Sequence, residues 1–208
     1  MSKLQLKAYD SLKHNYCLPY NPVFIDVKKI FRKEQPVVVE IGFGMGITTA
    51  EIAAGAPALN YLGIEVHTPG VGKLLSEIEK NSLENVRIIQ HDAAEVLKSM
   101  IPDHSIEGFH IFFPDPWPKK KHHKRRLIQD TFVSLLTEKL KPSGYIYIVT
   151  DWEEYALHII NCISGNSKLR YPVSESSVQK PWRPKTKFEV KGLSKGHRIT
   201  EIFAVSDS

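Results

Sequence analysis

A single carboxylate, Asp115, lies between two prolines at the end of an apolar run in this 208-residue chain. Pro114 and Pro116 fix their own φ angles and exclude helix at the residues before them, so the carboxylate lies on a stiff bend. Trp117 follows directly, and a dense cationic tract, residues 119–126, comes next. An aromatic face, a carboxylate and a phosphate-binding tract in one stretch indicate a surface that stacks a base and binds a nucleic-acid backbone. Asp115 is therefore the candidate catalytic residue, and the alternative is a rigid exposed turn.

The positive charge of the chain is local. The net charge is +5, and the tract 119–126 contains six Lys and Arg side chains, so the rest of the chain carries a net charge of −1 once those six are taken from +5. A basic patch on a nearly neutral protein indicates a polyanionic partner, and the alternative is a solvated face with no specific partner.

Cysteine usage and hydropathy exclude several classes of protein. Cys17 and Cys162 are the only cysteines and lie far apart, and the histidines show no metal-ligand spacing. We therefore predict no disulfide framework and no metal site. The N-terminus has no signal-peptide core, and no apolar run approaches the roughly 18 residues of a membrane span. We expect a soluble, cytoplasmic protein without a membrane partner.

Predicted strands and helices alternate along most of the chain. The strands cover residues 36–41, 61–65, 86–90, 106–113 and 145–149, and the helices cover residues 48–54, 68–80, 93–100, 126–140 and 152–163. Residues 1–35 are predicted to form an irregular or weakly helical lead-in, and residues 164–185 a loop. Residues 187–190 and 198–205 are predicted to pair as a terminal antiparallel hairpin. The alternation predicts one doubly wound α/β domain over residues 36–208, with a mostly parallel, seven-stranded sheet and helices on both faces.

Five carboxylates fall at or just beyond the carboxyl ends of predicted strands: Glu40, Glu65, Asp92, Asp115 and Asp151. In open α/β sheets this edge binds ligands. Glu65 lies about 20 residues after a glycine loop, where a carboxylate can accept both hydroxyls of a ribose. Asp92 is placed either to meet an adenine amino group or to cap the next helix. Asp151 begins an Asp-x-x-Glu pattern, which is typical of a capping box.

The glycine loop follows Glu40 and contains Gly42, Gly44 and Gly46. Its GxGxG spacing differs from the dinucleotide pattern GxGxxG, and a carboxylate directly before it would repel a diphosphate. The same carboxylate suits a cation such as a sulfonium amino acid. A nicotinamide-dependent oxidoreductase is an alternative class, because Glu65 could bind the ribose of that cofactor. The spacing and the basic tract count against it. A non-catalytic RNA-binding module is a third class, which the complete set of acidic residues opposes.

The loop 40–46 resembles the glycine-rich loop of S-adenosylmethionine-dependent methyltransferases with a Rossmann-like fold. More narrowly, several segments between residues 37 and 205 resemble the bacterial tRNA (guanine-N7-)-methyltransferases. These segments are residues 63–65, 113–120, 122, 124–126, 150–151 and 186–189. Among them, Asp-Pro-Trp-Pro-Lys-Lys with its Lys-Arg-Arg continuation is highly specific, whereas the glycine loop alone would indicate only the superfamily. The Pro-Asp-Pro-Trp sequence also superficially resembles the motif of methyltransferases that act on amino groups.

The resemblance implies a tRNA (guanine(46)-N7)-methyltransferase that uses S-adenosylmethionine and modifies a guanine in the variable loop. The implied cofactor-binding residues are Glu40, Gly42, Gly44, Gly46, Glu65, Asp92 and Asp115, with Asp115 catalytic. The implied tRNA-binding residues are Lys119, Lys121, His122, His123, Lys124, Arg125, Arg126, Asp151, Thr186, Lys187, Phe188 and Glu189. Without the resemblance, residues 186–189 would be assigned to the start of an edge strand. The N-terminal segment lacks the longer arginine-bearing arm of many relatives, and the choice between monomer and homodimer stays open.

Overall fold

Eight strands form one sheet in the computed structural model, which describes residues 1–171 and 180–207. The strands are β1 (Cys17–Leu18), β2 (Val37–Ile41), β3 (Asn60–Ile64), β4 (Val86–Ile89), β5 (Ile106–Phe112), β6 (Leu140–Thr150), β7 (Leu169–Arg170) and β8 (Thr200–Ser206). The helices are α1 (Lys3–Tyr16), α2 (Ile47–Gly55), α3 (Thr68–Asn81), α4 (Ala93–Ser99), α5 (Asp130–Lys139), α6 (Glu153–Ser164) and α7 (Lys187–Ser194). A short 3₁₀ helix covers Lys120–Arg125.

The strand order across the sheet is β1-β4-β3-β2-β5-β6-β8-β7. The pairs β1–β4, β4–β3, β3–β2, β2–β5 and β5–β6 are parallel, and β8 runs antiparallel to both β6 and β7. This arrangement confirms the predicted doubly wound α/β fold. The order also reverses direction beside β2, because β3 and β4 extend to one side of it and β5 and β6 to the other.

The sheet is buried on both faces near its centre, as a continuous apolar strand requires. All five residues of β2 are buried. Val37, Val39 and Ile41 belong to a core cluster that includes residues of α4, α5 and α6, whereas Val38 faces a second cluster with residues of α2 and α3. Glu40 alternates with Val39 and therefore faces the side of α2 and α3.

Within residues 1–171 and 180–207 the sheet has eight strands and not the predicted seven, because two short strands, β1 and β7, are added and one predicted strand is helical. β1 and β7 contain two residues each, which is too short to give an alternating hydrophobic pattern. The predicted antiparallel strand near the C-terminus is confirmed as β8, which pairs with β6 and β7. Its predicted partner strand is wrong, because residues 187–190 lie in α7.

The N-terminal segment contains a well-capped helix. The Ser2 hydroxyl accepts a hydrogen bond from the Gln5 backbone N–H, and the Gln5 side chain accepts one from the Ser2 backbone N–H. The Gln5 side chain also donates to the carbonyl of Pro69. Gly72 of α3 lies close to the backbone of Gln5: a Cβ added to Gly72 would be 2.7 Å from the Gln5 carbonyl oxygen. α1 therefore packs directly on α3. No helix within residues 1–171 and 180–207 has the length and apolar content needed to cross a bilayer.

Candidate active site and nucleic-acid interface

The five predicted carboxylates follow five neighbouring parallel strands. Asp92, Glu65, Glu40, Asp115 and Asp151 lie at or just after the carboxyl ends of β4, β3, β2, β5 and β6, which is also their spatial order across the sheet. The reversal of strand order lies between β2 and β5, and ligands of open α/β sheets bind at such a reversal. Glu40 and Asp115 therefore lie on opposite sides of the expected ligand crevice.

The glycine loop after β2 adopts backbone conformations that favour glycine. Gly42, Gly44 and Gly46 have φ angles of +71°, +57° and +66°. Gly46 caps the N-terminus of α2 in the left-handed conformation. Gly70 of α3 lies against the same loop, and a Cβ added there would be 2.0 Å from the Gly44 carbonyl oxygen. α3 therefore presses directly on the loop, while the space beside Gly42 and Gly44 holds no atom within 4 Å of an added Cβ.

Glu40 is buried with one unsatisfied oxygen. Its exposed fraction is 3%, and its Oε2 has no hydrogen-bond partner among the described residues. Burial raises the pKa of Glu40 to about 7; the nearby Thr49 hydroxyl opposes this shift, and the Glu65 carboxylate adds to it. A buried carboxylate oxygen without a partner is costly unless a cation or donor meets it. The chemistry of this oxygen therefore suits a positively charged group, and the predicted cofactor contact of Glu40 stays a prediction.

Glu65 joins the end of β3 to the glycine loop. Its Oε2 accepts a hydrogen bond from the Gly44 backbone N–H at 2.8 Å, and its Oε1 accepts from the N–H groups of Val66 and His67 at 2.8 and 3.0 Å. A carboxylate offers about four acceptor positions, so these three bonds leave capacity for a ligand hydroxyl. The side chain is thereby held in one orientation beside the loop.

Asp92 caps helix α4, which is one of the two roles that its position allowed. Its Oδ1 accepts a hydrogen bond from the Glu95 N–H at 3.1 Å. The residue is exposed, so capping does not prevent a ligand contact through its other oxygen. The adenine contact remains a prediction.

The turn that carries Asp115 is held at both ends. Phe113 and Trp117 have φ angles of +54° and +44°, conformations that cost a side-chain-bearing residue about 1–3 kcal/mol. The Phe113 N–H donates to the Val149 carbonyl of β6 at 2.7 Å, and the Arg126 Nε donates to the Pro116 carbonyl at 2.8 Å. Asp115 itself is exposed between these two anchors. The turn therefore presents one carboxylate on a rigid support.

The basic tract forms the 3₁₀ helix, and most of its charges face solvent. Lys119, Lys120, Lys121, Lys124 and Arg125 are exposed, while His122 and His123 are half-buried. The Arg125 guanidinium lies 5.1 Å from the centroid of the Trp117 ring, and the His122 ring meets Trp117 edge-on at 5.8 Å. The tract is therefore folded against the aromatic residue of the Asp115 turn, with its lysines available to an anion.

Arg126 differs from the rest of the tract, and the prediction that it binds tRNA does not fit its geometry. Its side chain is 1% exposed and makes a bidentate pair with Glu154, at 3.1 and 2.7 Å. Its guanidinium also lies 4.8 Å from the Tyr155 ring centroid. The hydrogen bonds from Arg126 hold the pKa of Glu154 below its usual range. Arg126 therefore fixes the Asp115 turn to α6 and has no free face for a phosphate.

The segment 186–189 begins helix α7 and does not begin an edge strand. The Thr186 hydroxyl accepts a hydrogen bond from the Glu189 N–H at 3.0 Å and caps the helix. Lys187 and Phe188 are exposed, and the Phe188 ring is stacked with that of Phe113 at a centroid distance of 6.4 Å. Glu189 is 3% exposed and pairs with Arg183 at 2.6 Å, a geometry at odds with its predicted tRNA contact.

Asp151 does not form the predicted capping box. α6 begins at Glu153 with Trp152 at its cap and no side-chain capping bond. The Asp151 Oδ2 instead pairs with His197 Nδ1 at 3.0 Å, just beyond α7. Gly192 of α7 lies against the same carboxylate, since an added Cβ would be 2.8 Å from its Oδ2. Asp151 is thus held beside α7, and its predicted tRNA contact stays a prediction.

The sequence analysis missed three residues that support the site: Arg183, His197 and Glu154. Glu154 and His197 lie 28 and 46 residues from their partners Arg126 and Asp151, so no spacing rule could have found them. Arg183 lies only six residues before Glu189, but that spacing does not correspond to any local motif. The spacing of Thr186 and Glu189, by contrast, is itself a helix-start signal and could have predicted α7.

Known proteins resemble this chain over most of its length. A protein-family model described as "Putative methyltransferase" matches residues 34–202. The chain is 49% identical over 201 residues to a tRNA (guanine-N(7)-)-methyltransferase of Nitrosomonas eutropha, covering 97% of this chain and 90% of the relative. It is 47% identical to the protein of the same name from Nitrosospira multiformis, covering 97% of this chain and 88% of the relative.

Solved structures share the fold at low sequence identity. The 16S rRNA methyltransferase KamB gives a TM-score of 0.60 at 11% identity, covering 89% of this chain and 95% of that one. An rRNA methylase from Streptococcus thermophilus gives 0.56 at 13% identity, covering 100% and 99%. Those likenesses concern the fold alone, whereas the match to the family model and the near-half identity over almost the whole length show that the chain belongs to the tRNA (guanine-N7-)-methyltransferase family.

Proposed function

We propose that this protein transfers a methyl group from S-adenosylmethionine to N7 of a guanine in the tRNA variable loop, at position 46, and forms 7-methylguanosine. Family membership supports the reaction. The observation that carries it in this chain is the arrangement at one sheet edge. A buried, unsatisfied carboxylate lies on one side of the strand-order reversal, and a rigidly held carboxylate beside a basic tract lies on the other.

The residues around the glycine loop fit S-adenosylmethionine. The unpartnered Oε2 of Glu40 suits a cationic group, and the open space beside Gly42 and Gly44 admits a ligand close to the backbone. Glu65 retains acceptor capacity for ribose hydroxyls, and Asp92 is exposed at the end of the neighbouring strand. When bound, this cofactor supplies an electrophilic methyl carbon on a sulfonium.

The guanine needs positioning more than proton transfer. Its N7 has an in-plane lone pair and no proton, so methylation there requires no general base, and the product base is cationic. Alignment of the reacting atoms and fixed negative charge near the base are therefore the useful contributions of the protein. Asp115 supplies that charge on a turn held by Arg126 and Val149, with no rearrangement needed as positive charge develops. Asp151 helps to hold the base edge.

The exposed lysines compensate for the cost of exposing the base. N7 lies in the deep major groove of an A-form helix, so the guanine must leave its stack, at a cost of a few kcal/mol. Lys119, Lys121 and Lys124 are exposed beside the Asp115 turn and provide phosphate contacts. The enzyme acts in the cytoplasm, where its tRNA substrate and a reducing environment for the free thiols of Cys17 and Cys162 are found.

Nucleoside analysis tests the proposal. The protein is incubated with S-adenosylmethionine and an unmodified tRNA transcript that has a guanine in the variable loop, and the digested nucleosides are separated by mass spectrometry. We expect one 7-methylguanosine per tRNA, and none in a transcript whose variable-loop guanine is replaced by adenine. A methyl group on an exocyclic amine, or tRNA binding without methyl transfer, would contradict the proposal.

A further inference from the structure

A buried arginine, Arg183, connects α7 to the sheet. Its Nε donates to the Tyr147 hydroxyl at 3.0 Å, and its two terminal nitrogens pair with Glu189 and Glu201, each at 2.6 Å. The side chain is fully buried, and the Tyr147 hydroxyl also donates to Glu201. Burial alone would lower the pKa of Arg183, but its hydrogen bonds to the two glutamates raise that pKa above its usual value. The guanidinium is therefore permanently charged and held by partners on three sides.

The partners of Arg183 belong to different elements that meet at the site. Tyr147 lies on β6, Glu201 on β8 and Glu189 in the first turn of α7. The guanidinium also lies 5.9 Å from the ring of Phe112, the last residue of β5. β5 leads directly into the Asp115 turn. Arg183 thus links the start of α7 to the strand that carries the candidate catalytic residue.

The residue before Arg183 anchors the same segment. The Trp182 ring stacks on that of His110 with a centroid distance of 5.0 Å and an interplanar angle of 19°. His110 is 1% exposed, and burial lowers its pKa to about 3, so it stays a neutral aromatic surface. The segment before α7 is therefore attached to β5 by a ring stack and to β6 and β8 by the arginine.

Neither Arg183 nor Glu189 has a face available to nucleic acid, but Phe188, directly before Glu189, does. Phe188 is 67% exposed and stacks with Phe113, two residues before Asp115. A shift at Glu189 moves Phe188 as well, because the two are adjacent in the first turn of α7. The position of an exposed aromatic ring next to Asp115 therefore depends on a buried ion pair.

We propose that Arg183 is a positioning residue: by holding Glu189 against Tyr147 and Glu201, it keeps the first turn of α7 and the Phe188 ring in place beside Asp115 for the incoming base. This inference rests on the proposed function. Lysine cannot replace Arg183, because a single ammonium does not reproduce a planar fork that serves three divergent partners.

The test uses the variants Arg183→Lys and Glu189→Gln and the double variant that combines them. Arg170→Lys is the control, because Arg170 pairs with Asp207 at the exposed edge of the sheet. Methyl transfer is measured well below the melting temperature of each variant. We expect R183K and E189Q each to lower kcat about ten- to a hundredfold, because a small misplacement of positioning groups has effects of that size. KM for S-adenosylmethionine should not change. The double variant should be no worse than either single variant, since both break the same link.

Salt dependence separates positioning from direct contact with tRNA. If Arg183 and Glu189 act only through α7, the slope of log Kd for tRNA against log salt concentration equals that of the unchanged protein. Because lysine keeps the positive charge, the slope is also measured in Arg183→Gln, which removes it. A slope reduced by about one in R183Q would assign a phosphate contact to Arg183 and overturn the proposal. Turnover near that of the unchanged protein in both single variants, or losses that multiply in the double variant, would also overturn it. If the unchanged protein forms no 7-methylguanosine, the proposed function fails instead.

Discussion

The two halves of the crevice are built differently. On the side of β2, β3 and β4, the acidic residues are buried or bonded to backbone: Glu40 is enclosed, and Glu65 accepts three backbone hydrogen bonds. On the side of β5 and β6, Asp115 is exposed on a turn between two residues with positive φ, and lysines face solvent. A small ligand is typically bound in a preformed pocket, whereas a polyanion is bound by exposed charges and positioned by a few rigidly held residues.

The second half also contains two kinds of arginine. Arg125 is exposed, lies against Trp117 and can meet a phosphate. Arg126 and Arg183 are buried, and each pairs with glutamate while holding a loop or helix beside the site. Two adjacent positively charged residues, Arg125 and Arg126, therefore have different environments: one faces solvent and is available to an anion, and the other supports the turn beside it.

The largest effect is expected at Asp115. If its charge acts on the reacting base, Asp115→Ala should lower kcat about a hundredfold or more, as loss of one preorganised electrostatic group does in other enzymes. The Kd for tRNA should change far less, because the basic tract is intact. Single-turnover methyl transfer and filter binding measure the two quantities. Asp10→Asn, an exposed carboxylate of α1, serves as a control that should behave like the unchanged protein. Turnover of D115A near the unchanged level would remove Asp115 from the reaction.

A smaller effect, on cofactor affinity and its pH dependence, is expected at Glu40. The pKa of this carboxyl is about 7 in the folded protein and 4.5 in its ordinary state, so the free protein binds more protons than the unfolded chain between those values. The free energy of unfolding should therefore fall as pH rises from about 4.5 to 7. A bound cation favours the charged carboxylate, so cofactor binding near pH 6 should release close to one proton.

Calorimetry in buffers of different ionisation enthalpy measures that proton release. Glu40→Gln should abolish it and weaken S-adenosylmethionine binding about tenfold or more, the scale of a hydrogen bond to a charged group. D10N again provides the comparison. Proton release that persists in E40Q would assign the titration to another group. Glu40 would then not be the residue that receives the positive charge of the cofactor.

The same difference between the halves explains what could be predicted from the sequence. The predicted cofactor side follows from strand ends and glycine spacing, which are local patterns, and in the structure Glu65 is hydrogen-bonded to the glycine loop. The nucleic-acid side depends on contacts between distant segments. Arg126 looks like Arg125 in the sequence, and only Glu154, 28 residues later, distinguishes it. Residues 187–190 alternate polar and apolar side chains as a strand does, but the Thr186 cap makes them the first turn of α7.

The smallest effect distinguishes the two kinds of arginine by salt dependence alone. Neutralising Lys124 and Arg125 together, as K124A/R125A, should reduce the slope of log Kd for tRNA against log salt concentration by about two. Each side chain that contacts a phosphate releases counterions and contributes about one to this slope. Arg126→Met should leave that slope unchanged while lowering kcat and the melting temperature, because it removes the hydrogen bond to the Pro116 carbonyl and the bidentate pair with Glu154. Binding measured between 50 and 200 mM salt covers a sufficient range. A reduced slope in R126M would mean that the buried arginine contacts tRNA. Arg125 and Arg126 would then not be two kinds of arginine, one for binding and one for support.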